Sequence, residues 1–297
     1  MGDDSERIAP SETKSSSTAS PGKLEARELV VRKGSAQPGP LFSSVATTES
    51  GVDFVNAIDN AHPLRRLYAS AMVSGGIAAG DIDGDGATDL YFTNGPARNR
   101  LFRQMSDFRF EDITDAAGVD GGDAWGVGTA MVDIDGDGDL DFYVCNHDSP
   151  NQLFINDGNA DFAEQAAASG VATNDASHTP AFCDYDGDGD LDLFLLTNRY
   201  YHPDGKLPAD APVLDVQPGN VKIKSEFEKY VRITKVIPGA QPGTKQFVWE
   251  DAGRPDYLFQ NDGNGKFTDV TRKAGIDSFG FGLSATWWDY NNDSHPD

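Results

Sequence analysis

Short apolar runs alternate with clusters of Asp, Asn and Gly along most of this chain, and the alternation is periodic. The clearest unit starts at Asp81, reads Asp-x-Asp-Gly-Asp-Gly-x-x-Asp, and passes directly into Leu90-Tyr91-Phe92. It returns at Asp133, ahead of Phe142-Tyr143-Val144, and at Asp184, ahead of Leu193-Phe194-Leu195. A fourth copy runs from Asp289 to Asp297. The copies are offset by 52, 51 and 105 residues. The last interval spans about two periods but holds no fifth loop, so it contains an insertion.

A second element lies between the loops. Leu101-Phe102, Leu153-Phe154 and Leu258-Phe259 each follow an Asn or Asp, at Asn99, Asn151 and Asp256. Turns at Asn156-Asp157-Gly158 and Asn261-Asp262-Gly263 come next, then Phe110, Phe162 and Phe267, and each unit closes at Gly118-Val119, Gly170-Val171 or Gly275-Ile276. Each period therefore predicts four short strands bounded by turn residues. Four strands at this spacing predict an all-β fold, a β-propeller of four-stranded blades with about 52 residues per blade. A helical solenoid would need a 3.6-residue apolar period and few glycines, whereas this chain has 32.

Residues 1–40 are rich in Ser, Thr, Pro and charge and predict a flexible leader. Residues 41–297 form the repeat region, interrupted by an insertion at 199–254 within the third blade. In it, 225–232 predicts a short helix, and 231–236 and 246–249 short strands. Phe42, Val45, Gly51 and Val52 match the outer strand and closing loop of a blade, as in Phe267, Val270, Gly275 and Ile276. The chain stops just after the fourth loop. About three and a half blades close a ring poorly, so the expectation is a partial propeller, a piece of a longer protein.

The loops carry the chemistry. Their first, third, fifth and ninth positions are Asp81, Asp83, Asp85, Asp89; Asp133, Asp135, Asp137, Asp141; Asp184, Asp186, Asp188, Asp192; and Asp289, Asn291, Asp293, Asp297. Four like charges in nine residues repel unless a cation cancels them. Oxygen donors at alternating positions suit Ca²⁺, which takes six to eight oxygens at about 2.3–2.6 Å. The seventh position, at Ala87, Asp139, Asp190 and His295, is expected to offer its backbone carbonyl. An EF-hand would need a bidentate Glu at position 12, but Phe92, Val144 and Leu195 stand there. Mg²⁺ keeps more of its waters, and Zn²⁺ wants His or Cys. About four Ca²⁺ sites follow, with a mainly structural role; the bland alternative is a set of Asx turns.

Charge and composition sharpen this. With 48 acids and 24 bases the formal charge is −24, and 38 of the acids are Asp against 10 Glu. Glu favours helices, whereas Asp favours turns and hard-cation sites. The acid excess argues against nucleic acid and anionic lipid as partners, and no apolar run is long enough to span a membrane. The insertion alone is faintly basic, with 9 basic and 7 acidic residues. The two cysteines, Cys145 and Cys183, flank apolar strands and read as buried thiols, with a bridge between blades as the alternative.

The Asp loops, the Asn261–Ile276 run and the approach Trp125-Gly126-Val127-Gly128 to Asp133 resemble FG-GAP (VCBS) repeats of integrin-α-type propellers, closest to the cartilage acidic protein and ASPIC/UnbV group. The resemblance covers about 41–297. It implies an extracellular, calcium-bearing propeller whose cation sites are the four loops.

No nucleophile elbow, zinc-protease helix, P-loop or Rossmann fingerprint is present. Neither catalytic residues nor an organic-cofactor site is assigned. His147 and His178, two of five scattered histidines, read as surface or turn groups. Arg199-Tyr200-Tyr201-His202 reads as a loop anchor rather than a ligand site, and Trp125, Trp249, Trp287 and Trp288 as strand core. The expectation is a non-enzymatic binding or adhesion module for a protein or glycan, outside the cell, on its surface or in a periplasm. Loops of low calcium affinity would stay empty in a cytosol. The alternatives are a spacer, or part of a polysaccharide-acting enzyme with Glu226, Glu228 and Glu250 as its weak acid candidates.

Overall fold

A computed structural model describes residues 43–297, apart from 57–58, 66, 68–74, 96, 203–204, 209, 218–219 and 242. The leader and Phe42 lie outside the described residues.

Three four-stranded antiparallel blades follow one another along the chain. The first pairs β1 (Ile77–Gly80), β2 (Asp89–Phe92), β3 (Arg100–Ser106) and β4 (Arg109–Asp112) in sequence order. The second contains β5 (Trp125–Val132), β6 (Asp141–Pro150), β7 (Gln152–Asn156) and β8 (Phe162–Glu164). The third is built from β9 (Asn174–Cys183) and β10 (Asp192–Thr197), continued after the excursion by β16 (Tyr257–Asn261) and β17 (Phe267–Asp269). The all-β architecture is that of part of a β-propeller.

Four strands recur because each blade alternates faces with a period of two, burying one row against its neighbour. Two apolar cores lie between blades rather than within them. One gathers Ile82, Tyr91 and Leu101 from the first blade with Phe142, Val144 and Phe154 from the second. The other sets Ile134, Tyr143 and Leu153 against Leu193, Leu195 and Phe259 of the third. The second residue of each of these two Asp loops, Ile82 or Ile134, is thus a core residue, which ties loop geometry to blade packing.

Successive blades also share one backbone bond. Asn99 N donates to Asp120 O at 2.8 Å, Asn151 N to Thr173 O at 3.0 Å, and Asp256 N to Ser278 O at 3.4 Å. Between the second and third blades this widens into a ladder, Ser149↔Asp175 and Pro150↔Asn174, that fuses them into one sheet. The same register recurs where β15 (Arg254–Pro255) meets β18 (Phe279–Gly280), the first residues of a fourth unit.

From β10 to β15 the chain runs through two hairpins, β11 (Leu214–Gln217) with β12 (Asn220–Ile223), and β13 (Val231–Pro238) with β14 (Lys245–Asp251). They enclose their own core of Val213, Ile223 and Val231, with Phe227, Tyr230 and Trp249 packed on it. The two strands foreseen at 231–236 and 246–249 are present but longer. The helix foreseen at 225–232 is absent: 225–230 makes turns, with Phe227 N donating to Lys224 O and Tyr230 N to Phe227 O. β13 claims the last two residues of the foreseen span, Val231 and Arg232, and the rest forms successive turns.

Other expectations are corrected as well. Residues 43–46 form no strand; a one-turn helix, Thr47–Ser50, follows and ends on Gly51. The closing Gly-Val loops of the first and second blades likewise hold one-turn helices, Thr114–Ala117 and Ala166–Ser169. His147 is not a surface group but is buried in β6. Trp288 is 72% exposed rather than core, while Trp125 is buried. Cys145 is the buried free thiol expected, whereas Cys183 is free but only half-buried. Arg199-Tyr200-Tyr201-His202 anchors the excursion: Arg199 pairs with Asp251 and stacks on Tyr201, and His202 stacks on Phe227.

Candidate metal centres

Each of the first three Asp loops joins the first and second strands of its blade, and similar internal bonds shape all four loops. The first carboxylate accepts backbone N–H groups from further round the turn. Asp81 takes Asp85 N at 3.2 Å and Gly86 N at 2.8 Å. Asp133 takes Gly136 and Gly138 N at 2.8 and 3.1 Å, and Asp184 takes Gly187 and Gly189 N at 2.7 and 3.1 Å. Asp289 takes Asp293 and Ser294 N at 3.0 and 2.8 Å. The fourth and sixth residues stand at positive φ, as at Gly136 (77°) and Gly138 (99°). The fourth loop holds Asn292 at 62° and Ser294 at 74°, so the turn is kept without glycine.

The ninth residue does more than the sequence announced. Asp89, Asp141 and Asp192 are buried. One oxygen accepts the N–H of the loop's second residue, from Ile82 at 3.0 Å, Ile134 at 2.8 Å and Tyr185 at 3.2 Å. The other accepts from the third strand, from Gln104 N at 2.7 Å, Asn156 N at 2.9 Å and Asn261 N at 2.8 Å. In the fourth loop Asp297 takes Tyr290 N at 3.1 Å.

Electrostatics show the strain of this arrangement. Burial pushes the Asp141 carboxyl up to about 7, against the pull of two backbone donors, with Asp135 and Asp137 adding repulsion. Asp192 is raised to about 6 by the same causes, with Asp186 and Asp188 as the repelling charges. Asp89 is raised too, by burial first. A carboxylate that holds two N–H bonds yet resists ionisation is short of positive charge.

Three carboxylate groups come together with one oxygen from each within 4.8 Å: Asp81, Asp83 and Asp85; Asp133, Asp135 and Asp141; Asp184, Asp186 and Asp192. Asp137 and Asp188 fall outside these triads and cap Asp139 N and Asp190 N at 2.9 and 3.0 Å. Ala87, Asp139 and Asp190 follow in the seventh position, where the Asp139 and Asp190 side chains lie against Gly158 and Gly263 of the neighbouring turns. In the last loop Asn291 replaces the third carboxylate and accepts Asp293 N at 2.9 Å, while Asp293 accepts His295 N at 2.9 Å. That loop forms no carboxylate triad among the described residues. The donor set is all oxygen and anionic, which fits a hard cation.

Sequence reading missed the second task of Asn156 and Asn261, which it took only for turn residues. Asn156 Nδ2 donates to Ile82 O of the preceding loop at 2.8 Å, and Asn261 Nδ2 to Ile134 O at 2.9 Å. The available signal was an Asn at the same place in both repeats.

The loop, the blade and their period define a repeat class, and comparison with known families agrees: the chain carries FG-GAP-like repeats, matched at residues 81–144 and 133–195. Among individual proteins it is similar to cartilage acidic protein 1. It is 25% identical to the human protein over 98% of this chain and 46% of that protein, and 25% identical to the mouse protein over 91% and 44%. A stretch of 131 residues is 30% identical to the Xenopus tropicalis protein, covering 43% of this chain and 20% of that protein. The chain spans just under half the length of the human and mouse relatives.

Proposed function

We propose that this chain is a calcium-binding propeller module that works outside the cell and binds a protein or glycan without catalysing a reaction. The observation that carries this is the carboxylate triad repeated around a turn in each of three successive blades, beside a buried ninth-position Asp whose carboxyl is raised and which is itself a triad member in the second and third loops. Asp81, Asp83 and Asp85, Asp133, Asp135 and Asp141, and Asp184, Asp186 and Asp192 would hold the ions. Asp289, Asn291, Asp293 and Asp297 would form the fourth site. The cation supplies charge neutralisation and pins the hairpin. Extracellular modules bind Ca²⁺ at about 10⁻⁴–10⁻³ M, which suits millimolar calcium.

On this proposal the repeat region spans 41–297, with 199–254 inserted in the third blade. That insertion offers the ligand a cleft of about 500 Å³, lined by Phe247, Trp249, Phe281, Lys206, Arg232 and Glu250. The names of the relatives state no catalytic activity. Glu226, Glu228 and Glu250 are all solvent-exposed, which does not favour the polysaccharide-enzyme alternative. Among the described residues no helix is long and apolar enough to cross a membrane.

Calorimetric titration with Ca²⁺, with melting followed in parallel, tests the reading. Several sites and a Tm lowered by EDTA are expected. No heat and no Tm shift at millimolar calcium would overturn it.

A further inference from the structure

One chain of hydrogen bonds crosses all three blades. It begins at Asp89, which accepts Ile82 N at 3.0 Å. The carbonyl of Ile82 accepts Asn156 Nδ2 at 2.8 Å, and Asn156 N donates to Asp141 at 2.9 Å. The other oxygen of Asp141 accepts Ile134 N at 2.8 Å. The carbonyl of Ile134 accepts Asn261 Nδ2 at 2.9 Å, and Asn261 N donates to Asp192 at 2.8 Å. Asp192 then reaches the third loop through Tyr185 N at 3.2 Å.

Nearly every member is out of water. Ile82, Ile134, Asp89, Asp141, Asp192, Asn156 and Asn261 are each at most 3% exposed. Buried hydrogen bonds have no water to exchange with, so a shift at one end is passed on rather than absorbed. Each Asn also grips its own loop, Asn156 Nδ2 at Leu140 O (3.1 Å) and Asn261 Nδ2 at Leu191 O (3.1 Å). One side chain thus holds the backbone of two loops in two blades. The first blade has Gln104 in this place, and its backbone N alone performs the clamp on Asp89.

We infer that Asn156 and Asn261 are positioning residues that couple the three loops, so that filling one raises the cation affinity of its neighbour. This rests on the loops being cation sites. A cation that draws in the carboxylates of one loop fixes the peptide at its second residue. That peptide orients the Asn of the next blade, and the same Asn sets the buried Asp of the next loop. Coupling of this kind is reciprocal: the second loop must affect the first by the same factor.

The test is a cycle of Ca²⁺ titrations on the whole chain. Asp81→Ala with Asp83→Ala removes the first loop; Asp133→Ala with Asp135→Ala removes the second. Each removal is expected to weaken the neighbouring loop about 5-fold or more, the usual lower bound for coupled sites. With Asn156→Ala in the background, the mutual effect of the first and second loops should vanish, while that of the second and third persists. Asn261→Ala should give the opposite pattern. A purely structural Asn would lower Tm in both variants and leave the mutual effect intact, which would overturn the inference. So would calcium binding in which removing either loop leaves its neighbour's affinity unchanged, a comparison that needs no Asn variant to fold. Absence of calcium binding in the unmodified chain is a different result and overturns the calcium reading itself.

Discussion

The blades and the excursion between β10 and β15 are held by different means. The blades share apolar cores whose members recur at the same repeat positions, as in Tyr91 and Tyr143 or Leu101 and Leu153. The excursion has a core of its own and is fastened to the blades by charge and rings. Asp175, 1% exposed, receives Arg254 Nε at 2.6 Å, Arg254 Nη2 at 2.9 Å and the Tyr257 hydroxyl at 2.8 Å. Lys229 bonds Asp148 at 2.5 Å and lies 4.1 Å over the Tyr200 ring. A repeated contact spreads its cost over many positions; a fastening concentrates it in a few side chains.

The largest expected effect tests whether the cores are separate. Leu153→Ala opens the core between the second and third blades and should cost about 4 kcal/mol of global stability in urea unfolding. Ile223→Ala should loosen only the excursion, seen as proteolysis within 199–254 at an unchanged main transition. One shared transition for both variants would erase the distinction.

Next is the fastening. Arg254→Met leaves Asp175 buried without its cation and should cost about 3 kcal/mol, since a broken buried pair strands one charge. The loss should show first as hydrogen exchange at the foot of the excursion. A change below about 0.5 kcal/mol would mean that the pair is no fastening.

The border between the two regions should respond to pH. Burial lowers His147 to about 4; Asp148 and Asp175 oppose that shift, while Lys229 and His178 reinforce it, and the Tyr200 ring lies edge-on at 5.5 Å. The unfolded chain therefore takes up a proton first as pH falls. Stability present above about 6.5 is lost on the way to about 4, and the loss has reached about 2 kcal/mol at pH 5. His147→Gln should remove that part of the slope, measured as the difference between variant and parent. Identical slopes would refute it.

The smallest effect lies inside the repeat. In two blades Asn99 and Asn151 donate to the Tyr91 and Tyr143 hydroxyls at 3.0 and 2.9 Å. The third blade has Phe194 in place of the Tyr and Asp256 in place of the Asn, and Asp256 accepts the Ser278 hydroxyl at 2.5 Å instead. Phe194→Tyr alone should cost about 1 kcal/mol for a hydroxyl without its Asn partner, and Asp256→Asn should recover part of it. Additive double-variant thermal shifts would show that the two positions are independent.

Much of the blade architecture was legible because each strand is marked at both ends by residues with one conformational purpose. Asp-Gly-Asp-Gly, Asn-Asp-Gly and the Leu-Phe pairs set its position without reference to the rest of the fold. The sequence marked positions one, three, five and nine alike, and it did not separate the first loop, where Asp81, Asp83 and Asp85 come together, from the next two, where the ninth Asp takes the place of the fifth. The link from Asn156 to Ile82 was not, because it spans 74 residues and depends on how one blade sits on another. His147 was misplaced because β6 runs on past its apolar core to pair with both Trp125 of β5 and Ala176 of β9, with the Tyr200 ring beside it, and none of these contacts is local in sequence. The helix foreseen at 225–232 failed for a local reason: β13 claims the chain from Val231 onward.

Arg199 and Gly253 form an isolated bridge, so the excursion leaves the blade and returns to it at one point. Joining its two ends therefore costs the blade no change in path. Such a neck is a natural grafting position: a foreign hairpin or a reporter domain set between 199 and 253 would leave both strands of the blade in register. The scaffold and its passenger can then be engineered, or can diverge, on separate schedules.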